Sequence, residues 1–201
     1  ADNLQTELSQ IKFEVLKSQI NPHFMFNSLN VLSGLINKDI KKAQQFIDEF
    51  SMIYRYVLET IEQPAATLEK ELEFMRSYLF LQKIRYGENL TYAVNINAAL
   101  MGMYLPPLSL QVVLENAIKH NIINQSKPLH IEVSDEARVL VVKNNIQPKI
   151  SKGKSTGLGL KNLVKRYALV SELIPEFKVD TNYYLAKLPL INIEDNEDTD
   201  H

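Results

Sequence analysis

Three clusters of side chains have the types and spacings that chemistry needs. The first is Gln19-Ile20-Asn21-Pro22-His23-Phe24-Met25-Phe26-Asn27. A proline inside a helix costs about 3 kcal/mol through a lost hydrogen bond and a ring clash, and here a histidine follows it directly. His23 and Asn27 are four residues apart, one helical turn along the same face. The Asn27 amide can therefore bond the imidazole and fix its tautomer. The plain alternative is a surface histidine beside a kink. The second cluster is Glu115-Asn116-Ala117-Ile118-Lys119-His120, in which Glu115, Asn116, Lys119 and His120 share one polar flank of a half-buried helix. An asparagine oxygen is a hard, neutral ligand of the kind Mg²⁺ accepts beside phosphate oxygens and water. A lysine meets phosphate as a point charge. The third is Ser155-Thr156-Gly157-Leu158-Gly159-Leu160-Lys161-Asn162. Glycines let a backbone approach a phosphate closely, and the start of the following helix attracts anions. The run lacks the Gly-Lys-Ser/Thr ending of a Walker A loop and the strand context of a dinucleotide fingerprint.

The elements that must position these clusters are legible in the apolar spacing. Leu4, Leu8, Ile11, Val15, Ser18, Pro22, Met25, Leu29, Leu32 and Ile36 step by four and three alternately, a heptad seam flawed at Ser18 and Pro22. Five heptads extend about 50 Å, longer than a compact domain needs, so the seam predicts pairing with a second copy. Gly34 and Asn37-Lys38-Asp39 mark a helix end and a turn. A second helix presents Ala43, Phe46, Phe50, Ile53, Val57 and Ile61 on one face, and Pro64 closes it. One such hairpin cannot bury both faces; two make a four-helix bundle, so the spacing predicts a homodimer.

Thr67-Leu68-Glu69-Lys70-Glu71 resembles a capping box opening a third helix that runs to about Arg85, with a turn at Gly87-Glu88-Asn89. From residue 90 the texture changes. Residues 90–96 alternate as a strand, and Pro106-Pro107 is expected in the first turn of a helix over 108–121. Residues 129–133 and 138–143 read as strands joined by a turn at Asp135-Glu136. Residues 146–156 read as a polar loop with Lys149, Lys152 and Lys154. Residues 157–170 are helical, and 177–180 with 183–188 form a hairpin about Thr181-Asn182. The expected class is α+β: helices first, then a mixed sheet with helices on one face.

Composition excludes much else. The 201 residues hold no cysteine, which removes disulfides, thiolate metal sites and thiol nucleophiles. Net charge is −2, and five acids (Glu194, Asp195, Glu197, Asp198, Asp200) sit in the last ten residues, so the body balances 22 basic against 19 acidic residues. No basic patch dominates, which argues against nucleic acid as a partner. No apolar run is long enough to span a bilayer and no signal peptide is visible; helical periodicity beginning at Ala1 suggests a piece of a longer protein.

Taken together, the three clusters resemble the LytS-type sensor histidine kinases. Residues 19–27 look like that family's H-box, 115–120 like its N-box, and Gly157-Leu158-Gly159-Leu160 with Asn162 like its second glycine box; Tyr78 to Arg85 and Pro106-Pro107 are in the same style. The resemblance implies a helical hairpin dimerisation domain that carries the phospho-accepting histidine and forms a four-helix bundle in the dimer. A Bergerat-type α/β sandwich ATP domain follows it. The chain then divides into residues 1–66 (dimerisation and phosphotransfer helices), 67–89 (connecting helix), 90–191 (ATP-binding domain) and 192–201 (acidic tail). The implied activity is ATP-dependent autophosphorylation of His23, then transfer to an aspartate of a response regulator receiver domain, with ATP and Mg²⁺ as cofactors. The implied site is His23, Asn27 and Glu115 for catalysis and Asn116 for the metal. Asn116, Lys119, His120, Asn144, Thr156, Gly157, Gly159 and Leu160 would hold the nucleotide. The implied location is the cytoplasmic portion of an inner-membrane protein whose sensor region lies outside this chain.

Two departures from the family pattern matter. Phe24 stands directly after the histidine, where other kinase families carry an acid, so Glu115 becomes a candidate base. The first glycine box normally reads Asp-X-Gly; here Asn144 replaces the Asp and Ile146 the Gly. A neutral Asn144 is expected to contact the adenine amino group less strongly than a carboxylate. The competing readings are a degenerate kinase that dimerises and relays shape without phosphoryl transfer, and an ATPase of the related chaperone or topoisomerase type.

Overall fold

The computed structural model describes residues 3–7, 9–11, 22–60, 62–150 and 157–193, with the backbone alone at 22–25. Residues 3–7 and 9–11 are helical, and helix α1 spans Pro22–Lys38. It continues through Gly34, which is exposed and where a Cβ would find open space, so the expected helix end falls later, at Asp39. Asp39 alone separates α1 from α2 (Ile40–Thr60). Its Oδ1 accepts from the Lys42 amide at 3.1 Å, satisfying one of the unpaired donors of the new helix. Helix α2 buries Ala43, Phe46, Ile53 and Val57, the spacing of the expected apolar face.

Helix α3 (Leu68–Tyr86) starts as expected: Thr67 Oγ1 accepts from the Lys70 amide at 3.3 Å. Glu71, however, does not join that cap. It sits in phase with Leu68, Leu72, Met75 and Leu79 and is fully buried with them. A two-residue strand β1 (Ala66–Thr67) pairs with β3 (Tyr104–Leu105).

The remaining strands form one mixed sheet, ordered β2-β4-β5-β7-β6. They are β2 (Leu90–Asn95), β4 (Leu129–Glu136), β5 (Val139–Asn145), β6 (Glu176–Asp180) and β7 (Tyr183–Pro189). β2 and β4 run parallel; the other neighbours run antiparallel. Leu129, Ile131, Val133, Leu140, Val142, Ala186 and Leu188 are buried on one face, while His130, Glu132 and Lys143 point the other way and are not, the one-sided alternation of an antiparallel sheet. Helices α4 (Ser109–His120) and α5 (Leu158–Ala168) contribute Leu110, Val113, Leu114, Leu163 and Tyr167 to the same core. That core is continuous from Phe46 to Ile191, so α2 and α3 pack into it together with the sheet and its helices.

Two local expectations shift. The β4–β5 turn falls at Ala137-Arg138, not at Asp135-Glu136. Asp135 stays in the strand because its Oδ1 accepts from the Asn97 amide at 2.8 Å, and Ala137 takes the left-handed φ of 53° that the turn needs. Pro106-Pro107 precedes α4 instead of forming its first turn. Leu108, at φ 66°, separates them from the helix, and the Ser109 hydroxyl donates to the Pro106 carbonyl.

Candidate functional site

Helix α4 presents its polar flank as expected. Glu115, Asn116 and His120 are half-buried and Lys119 is exposed, while Val113, Leu114, Ala117 and Ile118 on the opposite side are buried. Burial pushes the Glu115 carboxyl above the usual glutamate range, and the Lys119 charge opposes this in part. Gln111, one turn earlier, donates to Glu115 Oε2 at 3.3 Å; its own buried Oε1 has no partner. Burial and the neighbouring charges of Lys119 and Lys149 lower the His120 pKa, so the ring is neutral at neutral pH.

The two glycine-box regions flank this helix. Gly157 caps α5 at φ 62°, with open space around it, and no side chain bonds the first amides of the helix from that position. A Cβ on Gly159 would lie 3.6 Å from Val112 Cγ1, so α5 packs its first turn directly on α4, one turn before Glu115 and Asn116. Leu160 is half-buried beside it and Asn162 is buried. Thr156 lies outside the described residues.

Asn144 is the second-last residue of β5, on the buried face of the sheet between Ile131 of β4 and Tyr184 of β7, and is 3% exposed. Its Nδ2 donates to the Asn145 carbonyl at 2.9 Å. Ile146 needs no glycine-like backbone: among the described residues the positive φ values fall at Leu108, Ala137, Thr181, Gly87 and Gly157. The segment after β5 instead runs to the end of α4. Asn121 Oδ1 accepts from the Gln147 amide at 2.6 Å, Ile122 N–H donates to the Gln147 carbonyl at 2.7 Å, and Lys149 N–H to the His120 carbonyl at 3.1 Å. Gln147 Nε2 donates to the carbonyls of Lys127 and Pro128, each at 2.9 Å.

Asn121 and Gln147 thus lock the polar flank of α4 to the end of β5. Sequence reasoning missed both; the only signal was an asparagine directly after His120.

His23 stands in the first turn of α1, and its imidazole lies outside the described residues; Asn27, one turn on, is half-buried. Helix α1 packs on α2 and α3. The structure therefore places Glu115, Asn116, Lys119 and His120 along α4 and Gly159 against its Val112, with Asn144 in β5, while His23 and Asn27 belong to a separate helix.

The chemistry of this set suits a magnesium nucleotide. Among the described residues no group of three or more His, Cys, Asp or Glu side chains could hold a metal ion. Mg²⁺ with one neutral protein oxygen, phosphate oxygens and water needs no such cage. The lysine and the start of α5, which Gly157 leaves without a side-chain cap, offer donors for anionic oxygens.

Known proteins similar to this chain are histidine kinases. The histidine kinase family model matches residues 11–90. The sensor histidine kinase/phosphatase LytS of Staphylococcus aureus strain MRSA252 is 35% identical over 127 residues, 63% of this chain and 22% of that protein. LytS of strain NCTC 8325 gives the same figures. The chain thus spans about a fifth of the length of the curated relatives it matches. A structure of Acinetobacter baumannii histidine kinase AdeS covers 95% of this chain and 98% of its own at 10% identity and a TM-score of 0.44. The catalytic domain of histidine kinase ThkA covers 64% and 99% at 19% identity and 0.45. Among the described residues no helix is long and apolar enough to cross a membrane. By the family model and the LytS relatives alike, the chain is similar to the LytS-type sensor histidine kinases.

Proposed function

We propose that this chain is the kinase core of a two-component sensor, which phosphorylates itself on His23 from ATP and passes the phosphoryl group to an aspartate of a receiver domain. The observation that carries the reading is the packing of the glycine-led α5 on α4, one turn before Glu115 and Asn116, in a chain whose first helix holds His23 after a proline.

In the step itself, a neutral imidazole nitrogen of His23 attacks the γ-phosphorus. The N–P bond forms as the bond to the ADP oxygen breaks, and the proton on the ring's other nitrogen passes to the base. Asn27 orients the ring. Asn116 would ligate Mg²⁺, which neutralises charge developing on the phosphates. Lys119 meets the phosphates as a point charge, and the backbone amides behind Gly157 and Gly159, with Thr156 and Leu160, hold the triphosphate. His120, being neutral, adds no fixed charge there. Glu115, whose raised pKa makes it a stronger proton acceptor than an exposed carboxylate, serves as the base. Asn144 faces the adenine amino group.

The dimer is part of the same proposal. Phe26, Leu29 and Ile36 on α1 and Ile40, Ile47 and Leu58 on α2 are large apolar side chains between 48% and 67% exposed in one chain. Stripes of this kind mark an interface, and a second copy covers them in a four-helix bundle. The domain divisions at residues 66, 89 and 191 and a cytoplasmic location, with the sensor outside this chain, complete the proposal.

Incubation with γ-labelled ATP and Mg²⁺ tests it. The proposal expects label that is acid-labile and alkali-stable, and absent from His23→Gln. A second reading, a degenerate kinase that relays shape alone, is favoured by Asn144 standing where the family carries an aspartate. It expects dimerisation with no label.

A further inference from the structure

Glu71 is a carboxylate with no exposed surface, and its partners come from three different elements. Its Oε2 accepts from the Tyr56 hydroxyl of α2 at 2.6 Å. Its Oε1 accepts from the Leu110 amide at 3.4 Å, and the carboxylate also bonds the Leu108 amide. Those amides belong to the start of α4, which has no side-chain cap of its own because Leu108 occupies the N-cap position. A buried carboxylate there supplies the missing acceptor and complements the positive end of the helix. Arg166 of α5 supplies the counter-charge, and its guanidinium donates to the carbonyl of Pro107, two residues before α4. Tyr56 is held in turn by Phe74 of α3, ring centroids 5.0 Å apart.

We propose that Glu71 is a positioning residue through which helix α2 sets the placement of α4 and α5, and with them the polar flank and glycine-led turn of the nucleotide site. The consequence for the nucleotide rests on the phosphotransfer reading; the mechanical link does not. Among the described residues Tyr56 is the member of the network that lies on the hairpin. A shift or rotation of α2 withdraws its hydroxyl from Glu71, leaving a buried carboxylate one donor short and loosening its grip on the amides of α4. Arg166 carries the same disturbance to α5, because its guanidinium is bonded just before the residues that Glu71 holds.

Two substitutions separate this link from a purely structural role. Tyr56→Phe keeps the ring against Phe74 and removes only the hydroxyl; Glu71→Gln keeps the shape and removes the charge. Amide hydrogen exchange of the full chain without nucleotide is read residue by residue. For Tyr56→Phe the amides at 108–111 should exchange about tenfold faster, while those of β4 and β5 keep wild-type rates. Glu71→Gln should show the same pattern more strongly. Unchanged exchange at 108–111 in Tyr56→Phe overturns the proposal. So does equal acceleration across α4 and the sheet, which signals lost global stability only. Labelling of the wild type by γ-labelled ATP is measured separately, so a chain that takes no label retires the phosphotransfer reading and leaves the exchange result to decide the link.

Discussion

Asn144→Asp restores the residue type the family carries at the first glycine box, and the structure gives its two effects opposite signs. In the free protein Asn144 is almost fully buried and spends one amide proton on the Asn145 carbonyl at 2.9 Å. An aspartate has no such proton and sets a second acceptor against that carbonyl. A buried acceptor left without its donor costs about 1–3 kcal/mol, which for a chain this size lowers the melting temperature by roughly 2–4 °C per kcal/mol. With ATP bound, the proposal has the same carboxylate accept from the adenine amino group. Hydrogen bonds to charged groups contribute about 1.5–3 kcal/mol against about 1 for neutral pairs, so ATP should bind about tenfold tighter. Guanine, which offers no amino group at that position, should gain nothing. Calorimetry with ATP and GTP, beside a thermal melt of each free protein, reads both effects. A variant that melts lower yet binds ATP no better shows that Asn144 does not face the base. A variant that melts no lower contradicts the buried bond to Asn145.

Four further outcomes follow from the same geometry. Asn116→Ala removes the neutral oxygen proposed for Mg²⁺ and should cut Mg-dependent ATP turnover by orders of magnitude with the fold intact by circular dichroism; unchanged turnover dismisses the assignment. Polar replacement of Leu29 and Leu32 together should convert a dimer to a monomer in sedimentation while the sheet signals persist, and a wild type already monomeric at micromolar concentration refutes the dimer. Burial lifts the Glu71 carboxyl above 4.5, so the folded state holds that proton more tightly than the unfolded chain. The stabilisation is complete below 4.5 and is lost as pH rises through the raised value, so wild-type stability in denaturant melts should fall as pH rises above about 4.5, and Glu71→Gln, which has no proton to lose there, should lack that dependence. The lowered His120 pKa means that its charge appears only below 6.5; ATP affinity should rise on acidification below that value in wild type and less so in His120→Gln.

The hairpin and the sheet were readable because their residues follow simple periods. Ala43, Phe46, Ile53 and Val57 are buried as their helical spacing requires, and Thr67 caps α3 as its type suggests. The β4–β5 turn was misplaced because Asp135, a turn former by type, is held in the strand by Asn97, while an alanine supplies the positive φ usually left to Gly, Asn or Asp. The polar flank of α4 was legible from spacing alone. What encloses it was not: Asn121 and Gln147 meet across 26 residues of sequence, and no local pattern encodes that pairing. Glu71 left a signal that read differently. It lies in phase with Leu68, Leu72 and Met75, where an acid three residues into an apolar stripe indicates a buried partner more than a helix cap.

The central claim is that His23 becomes phosphorylated, and the sequence offers a clean way to see it. Trypsin releases residues 18–38 as one peptide, bounded by Lys17 and Lys38, in which His23 is the sole imidazole beside three serines. Mass spectrometry of that peptide at alkaline pH, after incubation with Mg-ATP, should show one added phosphoryl group on His23 that brief acid treatment removes. A phosphoryl group that survives acid, or one carried instead by the peptides holding His120 or His130, would contradict the account.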